Sequence, residues 1–153
     1  MQPKDIEQAT LAYFMECRGQ GQWSKFILIL IGEMYRSAGS ADAQGFLRLV
    51  GSRLHDTLGL AEQPTLEALE ATLNEQWRAM DWGWVRLTLQ GQGIEITHGA
   101  YPVLEASEQW TQSISAVLEG LYESLFQAQG EETRLQVRLV ENLSGALVFR
   151  CAS

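Results

Sequence analysis

The hydrophobic period of this chain switches near residue 81, and that switch limits the folds open to it. Upstream, apolar residues recur at helical spacing. At Asp81-Trp82-Gly83-Trp84-Val85-Arg86-Leu87-Thr88-Leu89 they begin to alternate. Alternation places Val85, Leu87 and Leu89 on one face of a strand, with Trp82, Trp84, Arg86 and Thr88 on the other. The first face suits a core. The second carries two large aromatics and a cation, more than a plain solvent face requires.

Several helical patterns precede the switch. Asp5 to about Cys17 sets Ile6, Ala9, Tyr13, Phe14 and Cys17 on one side and ends at Gly19 and Gly21. Trp23 to Tyr35 contains Phe26-Ile27-Leu28-Ile29-Leu30-Ile31, which periodicity alone reads equally as a buried strand or as a helix. As a helix it would be apolar nearly all round, and a neighbouring subunit would be needed to cover it.

Ser40 is expected to cap a helix with the stripe Phe46, Leu47, Val50, Leu54 and Leu58, ended by Gly59. Gly45 and Gly51 inside it cost about 1 kcal/mol each relative to Ala, which points to close backbone packing. Pro64 and Thr65 open a further helix with Leu66, Leu69, Leu73, Trp77 and Met80 inward. Glu67, Glu70, Asn74, Glu75 and Arg78 are then expected to face water.

After the switch come two hairpins separated by a long helix. The first joins Trp82–Leu89 to Ile94–His98 through Gly91-Gln92-Gly93, with Ile94 and Ile96 inward. Ser107 caps the long helix, whose apolar residues are Trp110, Ile114, Val117, Leu118, Leu121, Leu125 and Phe126, closing at Gly130. In the second hairpin Leu135, Val137 and Leu139 alternate with Arg134, Gln136 and Arg138. Past an Asn142–Gly145 turn, Leu147, Phe149 and Cys151 alternate with Val148 and Arg150. The expected fold is α+β: N-terminal helices and one long later helix on a four-stranded antiparallel sheet. With no linker, repeat or low-complexity tract, residues 1–153 read as one domain.

Composition narrows the function. A net charge of −8 argues against nucleic acid or an anionic membrane as partner. The most apolar run is far shorter than the ~20 residues a bilayer demands. The polar start Met1-Gln2-Pro3-Lys4-Asp5 does not resemble a secretory signal, so a cytoplasmic location is expected, with periplasmic as the alternative. Cys17 and Cys151 are consistent with free thiols in a reducing compartment, although a single disulfide between them stays open.

No residue pattern signals catalysis or a cofactor. His55 and His98 lie far apart without metal-ligand spacing. There is no nucleophile elbow, dinucleotide loop or Walker pattern. Paired-carboxylate hydrolysis is the one enzyme hypothesis to weigh, with Asp81, Glu95 and Glu119 as the acids nearest the aromatic-rich stretch; in an acidic chain such residues are ordinarily solvated. The outward row says more. Arg86, Arg134, Arg138 and Arg150 are four of nine arginines and fall on outward strand positions. They either pair across strands with Glu95 and Glu141 or join Trp82 and Trp84 in an interface, since Trp and Arg are enriched at binding hot spots. Stacking of the aromatics on sugar rings is a further alternative. Trp82, Trp84, Arg86 and Arg138 are therefore the candidate assembly or sugar contacts.

From about residue 45 to 130 the chain resembles the D subunit of bacterial cellulose synthase operons. The resemblance is carried by Trp82-Gly83 with the Val85–Leu89 strand, Ile94-Glu95-Ile96-Thr97-His98 and Pro102. It continues through Trp110, Val117-Leu118-Glu119-Gly120-Leu121-Tyr122 and Gln127-Ala128-Gln129-Gly130, with a weaker match at Leu47-Arg48-Leu49-Val50-Gly51. It implies a non-catalytic homo-octamer built from dimers, needed for crystalline, aligned cellulose rather than for polymerisation. Two roles are implied: a conduit for glucan chains, or a cytoplasmic scaffold for synthase complexes with a proline-rich partner.

Overall fold

The structure, a computed structural model, describes residues 8–12 and 21–153. Residues 8–12 are helical. The expectations for Tyr13, Phe14 and Cys17 fall outside the described residues. The elements that follow are α1 (Ser24–Ala38), α2 (Ser40–Leu58), α3 (Leu66–Met80), β1 (Trp84–Gln90), β2 (Gly93–Gly99), α4 (Glu108–Ala128), β3 (Gln136–Leu143) and β4 (Ala146–Ala152). The class is α+β, with one antiparallel sheet in the order β1-β2-β4-β3.

The ambiguous segment Phe26–Ile31 is helical. It continues through Met34 and Tyr35, so residues one turn apart share a face, and Ile31 is buried with Ile27, Leu28 and Tyr35 packed on the core. Phe26, Ile29 and Leu30 point away from the core, 50% or more exposed.

In α2 the inward stripe differs from the expected one. Ala43, Leu47 and Gly51 are buried, whereas Phe46 and Val50 are exposed. Small residues win because α2 approaches α4 to backbone contact. A Cβ on Gly51 would lie 1.9 Å from the Val117 oxygen, and one on Gly120 1.9 Å from the Arg48 oxygen. Gly45 faces open space, so close packing explains Gly51 alone of that pair. Ser40 is the first helical residue rather than the cap; Gly39 precedes it, and no side chain caps this end.

Helix α3 starts as its sequence directs, with Thr65 Oγ1 accepting the Ala68 N–H at 3.1 Å. It ends on Asp81, which holds the left-handed position at φ 60°. The Asp81 N–H donates to the Arg78 oxygen and the Trp82 N–H to the Trp77 oxygen, the hydrogen-bond pattern of a Schellman motif. Trp82 is consequently still rounding the helix end. The strand begins two residues later, after Gly83 at φ 87°, where a Cβ would lie 2.0 Å from the Gly99 oxygen.

Helix α4 is buried along most of its length, from Ser113 to Tyr122 without a break. Ser107 Oγ accepts the Trp110 N–H at 3.1 Å, and the Trp110 indole N–H donates to the Pro102 oxygen at 2.9 Å. The helix stops at Ala128, short of Gly130. Val85, Leu87, Ile96, Leu147, Phe149, Cys151 and Val137 face the helices as alternation predicts. Leu89 does not. It is 71% exposed, next to the β1–β2 turn and two residues beyond Leu87, which Glu70 of α3 reaches. Asn142 and Leu143 belong to β3, opposite Leu147 and Ala146, so the second turn is tighter than expected. The register shifts between Leu139 and Glu141, leaving Val140 without a partner on β4.

Candidate functional site

Trp82 and Trp84 do not form one outward row. Trp82 stacks on buried Trp77, ring centroids 5.8 Å apart and planes at 12°, and its carbonyl accepts a hydrogen bond from His98 Nε2 at 2.7 Å. Because a carbonyl can only accept, Nε2 carries the proton. His98 Nδ1 is then the acceptor for the Tyr122 hydroxyl at 2.6 Å. Burial holds the imidazole down at about 4, against the opposing pull of the Trp82 carbonyl, and raises the Tyr122 phenol well above its ordinary value. His98 is thus neutral and fully engaged inside an aromatic cluster.

Trp84 lies on the opposite face of the sheet, 42% exposed. Its indole spreads over Gly99: a Cβ on that glycine would come within 2.2 Å of two ring carbons. Arg86 sits over the same ring, 5.7 Å from the centroid. One ring face is therefore taken up by the sheet itself.

The register orders the rest of this face. Trp84, Gly99, Ala146 and Leu143 form one row across the strands; Arg86, Thr97, Val148 and Glu141 form the next; Thr88, Glu95, Arg150 and Arg138 the third. Arg150 reaches along the sheet to donate to Gln90 Oε1 at 3.3 Å. Among the described residues none of Arg86, Arg134, Arg138 and Arg150 makes an ion pair, so the expected pairing with Glu95 and Glu141 is absent there.

The acids weighed for catalysis have structural surroundings. Asp81 closes α3. Glu95 stands on the outer face between Thr88 and Arg150. Glu119, buried, accepts from Arg48 Nη2 at 3.4 Å and from the Leu139 N–H at 3.2 Å. This last contact belongs to a series that periodicity did not reveal.

Glu123 accepts the Val137 N–H at 3.0 Å and Gln127 the Leu135 N–H at 3.0 Å. Residues four apart on a helix advance about 6 Å, and residues two apart on a strand about 6.6 Å. Acceptors on three successive turns of α4 therefore meet the N–H groups of Val137 and Leu139 on edge strand β3 and of Leu135 just before it. On the other edge, Glu70 of α3 accepts the Leu87 N–H at 2.8 Å, while Asn74 both accepts from the Val85 N–H and donates to its carbonyl. Glu70 and Asn74, expected in water, instead close the β1 edge. The i, i+4 spacing of Glu119, Glu123 and Gln127 was the available signal.

A cleft of about 330 Å³ lies where the α3 start, the β1–β2 turn and the α4 end meet, lined by Thr65, Phe126, Gln129 and Cys151 among others. Burial, helped by the charges of Glu123 and Glu131, pushes the Cys151 thiol up to about 11. It is a poor nucleophile at neutral pH. Among the described residues no group of three or more His, Cys, Asp or Glu could hold a metal ion. No described helix is long and apolar enough to cross a membrane.

Exposed apolar side chains gather elsewhere. Trp23, Phe26, Ile29 and Leu30, at and along α1, and Phe46, Leu49 and Val50 of α2 are all exposed, from 41% to 66%. Isolated exposed apolar residues are ordinary; here seven fall at or along two consecutive helices.

The fold is thus an α+β layer whose own helix side chains reach N–H groups on both sheet edges and whose weighed acids have structural neighbours. The family model for the D subunit of cellulose synthase matches residues 9–152, and the chain belongs to that family. The match includes both the N-terminal helices and the C-terminal hairpin, beyond the 45–130 stretch that carried the sequence resemblance. Its role is therefore in cellulose synthesis. No curated protein matches the chain.

Proposed function

We propose that this chain is a non-catalytic scaffold: a single-domain subunit that self-associates and organises cellulose synthase complexes for export and crystallisation of aligned glucan chains. The observation that carries this reading is the exposed apolar surface of α1 and α2. At about 25 cal/mol per Å² of apolar area removed from water, covering side chains as large as Phe26, Ile29, Leu30 and Phe46 favours association. The closed β1 and β3 edges support it too, because they direct association to helices instead of to added strands.

A non-catalytic role is supported by the structural surroundings of Asp81, Glu95 and Glu119 described above. The octamer built from dimers, the cytoplasmic location and the proline-rich partner are part of the same proposal and rest on the resemblance. Direct passage of glucan along Trp84 is the weaker reading, since Gly99 and Arg86 take up much of its ring.

Light scattering coupled to size-exclusion chromatography tests the scaffold. The wild-type chain is expected to elute as a multi-subunit particle at micromolar concentration. Phe26→Asp with Leu30→Asp should reduce the mass while circular dichroism stays unchanged. A stable wild-type monomer sinks the proposal.

A further inference from the structure

Helix side chains stop closing the β3 edge at Leu139. Gln127, Glu123 and Glu119 take the N–H groups of Leu135, Val137 and Leu139 in turn. One and two turns earlier on α4 the same positions hold the short side chains Ser115 and Thr111. Ser115 is buried and its hydroxyl has no hydrogen-bond partner, while Thr111 turns back to the Ser107 oxygen at 3.2 Å. The space between Thr111 and Gln112 of α4 and Leu139 and Asn142 of β3 is a cleft of about 530 Å³, with Tyr101 and Val103 adding apolar surface to it.

Backbone is open beside this cleft. Leu143 and Ala146 close a two-residue turn, and such turns close on a pair that exchanges both hydrogen bonds. Asn142, opposite Leu147, therefore directs its N–H and carbonyl away from β4. Among the described residues no side chain takes that N–H as Glu119 takes the one on Leu139. Val140 beside it is 57% exposed. The charged residues lining the cleft are Glu105 and Glu108, both exposed; Arg138 and Glu141 stand on the open sheet face and line none of it.

We propose that this cleft takes a short extended segment of a basic partner protein. The segment pairs through its backbone with Asn142, sets a Lys or Arg toward Glu105 and Glu108, and lays an apolar side chain against Tyr101 and Val103. A free donor and acceptor on one strand residue are what another extended backbone satisfies. Two carboxylates with no cation in the lining select positive charge. A second copy would bring its own acids and its net charge of −8 against them. The segment is short because α4 side chains already occupy the Val137 and Leu139 N–H groups, so that stretch of the edge still excludes a full added strand. This site is apart from α1–α2 and depends on the scaffold reading only in that the chain works by binding.

Fluorescence anisotropy tests it on the full chain, with a short labelled peptide of alternating Lys and Val. Controls are a Glu-for-Lys version and one N-methylated on its backbone, which keeps the charge but cannot pair. The basic peptide should bind and weaken as salt rises, and both controls should lose about tenfold or more in affinity. Asn142→Pro removes the outward N–H without touching the β4 pairing and should weaken binding to the same degree. Asn142→Ala, which keeps the backbone group, should not. Glu105→Lys should weaken binding, whereas Glu75→Lys, the same charge change on α3, should leave it unaltered. No binding of the basic peptide, equal binding of the N-methylated one, or equal weakening by Glu75→Lys overturns the proposal. So does a smaller particle mass for Asn142→Pro, which would make the occupant a second copy. Should Asn142→Pro fail to fold, the N-methylated peptide on the wild-type chain decides. The particle mass of the α1 variants is read separately, so failure here leaves the scaffold standing.

Discussion

Gly51 meets the carbonyl oxygen of Val117 with no room for a side chain between them; a Cβ would stand 1.9 Å from that oxygen. The neighbour is helix backbone, which cannot rotate away. Gly51→Ala is expected to destabilise the fold by about 3 kcal/mol or more, at the upper end of overpacking costs. Gly45→Ala, on the same helix in open space, should raise stability by up to about 1 kcal/mol. Urea denaturation of the two variants checks both signs.

The acceptor ladder on α4 predicts a difference between removing a side chain and removing a charge. Glu123→Ala leaves the Val137 N–H without its partner and should cost about 1–3 kcal/mol. Glu123→Gln keeps an oxygen at the same reach and should recover most of that. Equal losses in chemical denaturation would mean that charge, not edge closure, is what Glu123 provides.

His98 makes stability depend on pH. Its folded value of about 4 lies below the ordinary 6.5, so between those limits the unfolded chain takes up a proton that the folded chain refuses. The contribution is complete above pH 6.5 and is lost as pH falls toward 4, by about 3 kcal/mol at 1.36 kcal/mol per unit. Thermal unfolding from pH 8 to pH 4 should show this slope. His98→Gln should be less stable at pH 8 and flatter over the same range.

The two tryptophans separate by consequence. Trp82→Ala strips the stacked partner from Trp77 and should cost about 3–5 kcal/mol if its half-buried ring behaves as core. Leu87→Ala, inside the sheet, should cost about 2–5 kcal/mol. Trp84→Ala should leave a folded chain, because the ring covers Gly99 from the solvent side. A Trp84→Ala variant that fails to fold would show its cover to be part of the core.

Asp81 occupies a left-handed backbone position that costs a residue with a Cβ about 1–2 kcal/mol. Asp81→Gly relieves that strain but loosens the unfolded chain, so a gain of up to about 1 kcal/mol is expected. The thermal midpoint measures it.

Residue order alone was enough to separate helix from strand after residue 81 and to say which strand face is apolar. Those properties repeat along the chain with a fixed period: Leu69, Leu73 and Trp77 return to one side of α3, and Leu147, Phe149 and Cys151 to one side of β4. It also carried the family, through residues whose order survives in one dimension. What periodicity does not encode had to come from tertiary contact. Helical or extended, Phe26–Ile31 is equally apolar, and packing on the core settled it. Trp82 and Trp84 share a parity but not an element, because the α3 cap carries one round to Trp77 before the strand begins. Glu70, Asn74, Glu119 and Glu123 look like solvent-facing residues until a strand edge lies alongside them. A polar side chain's role is set by the backbone group it reaches, and that neighbour comes from elsewhere in the chain.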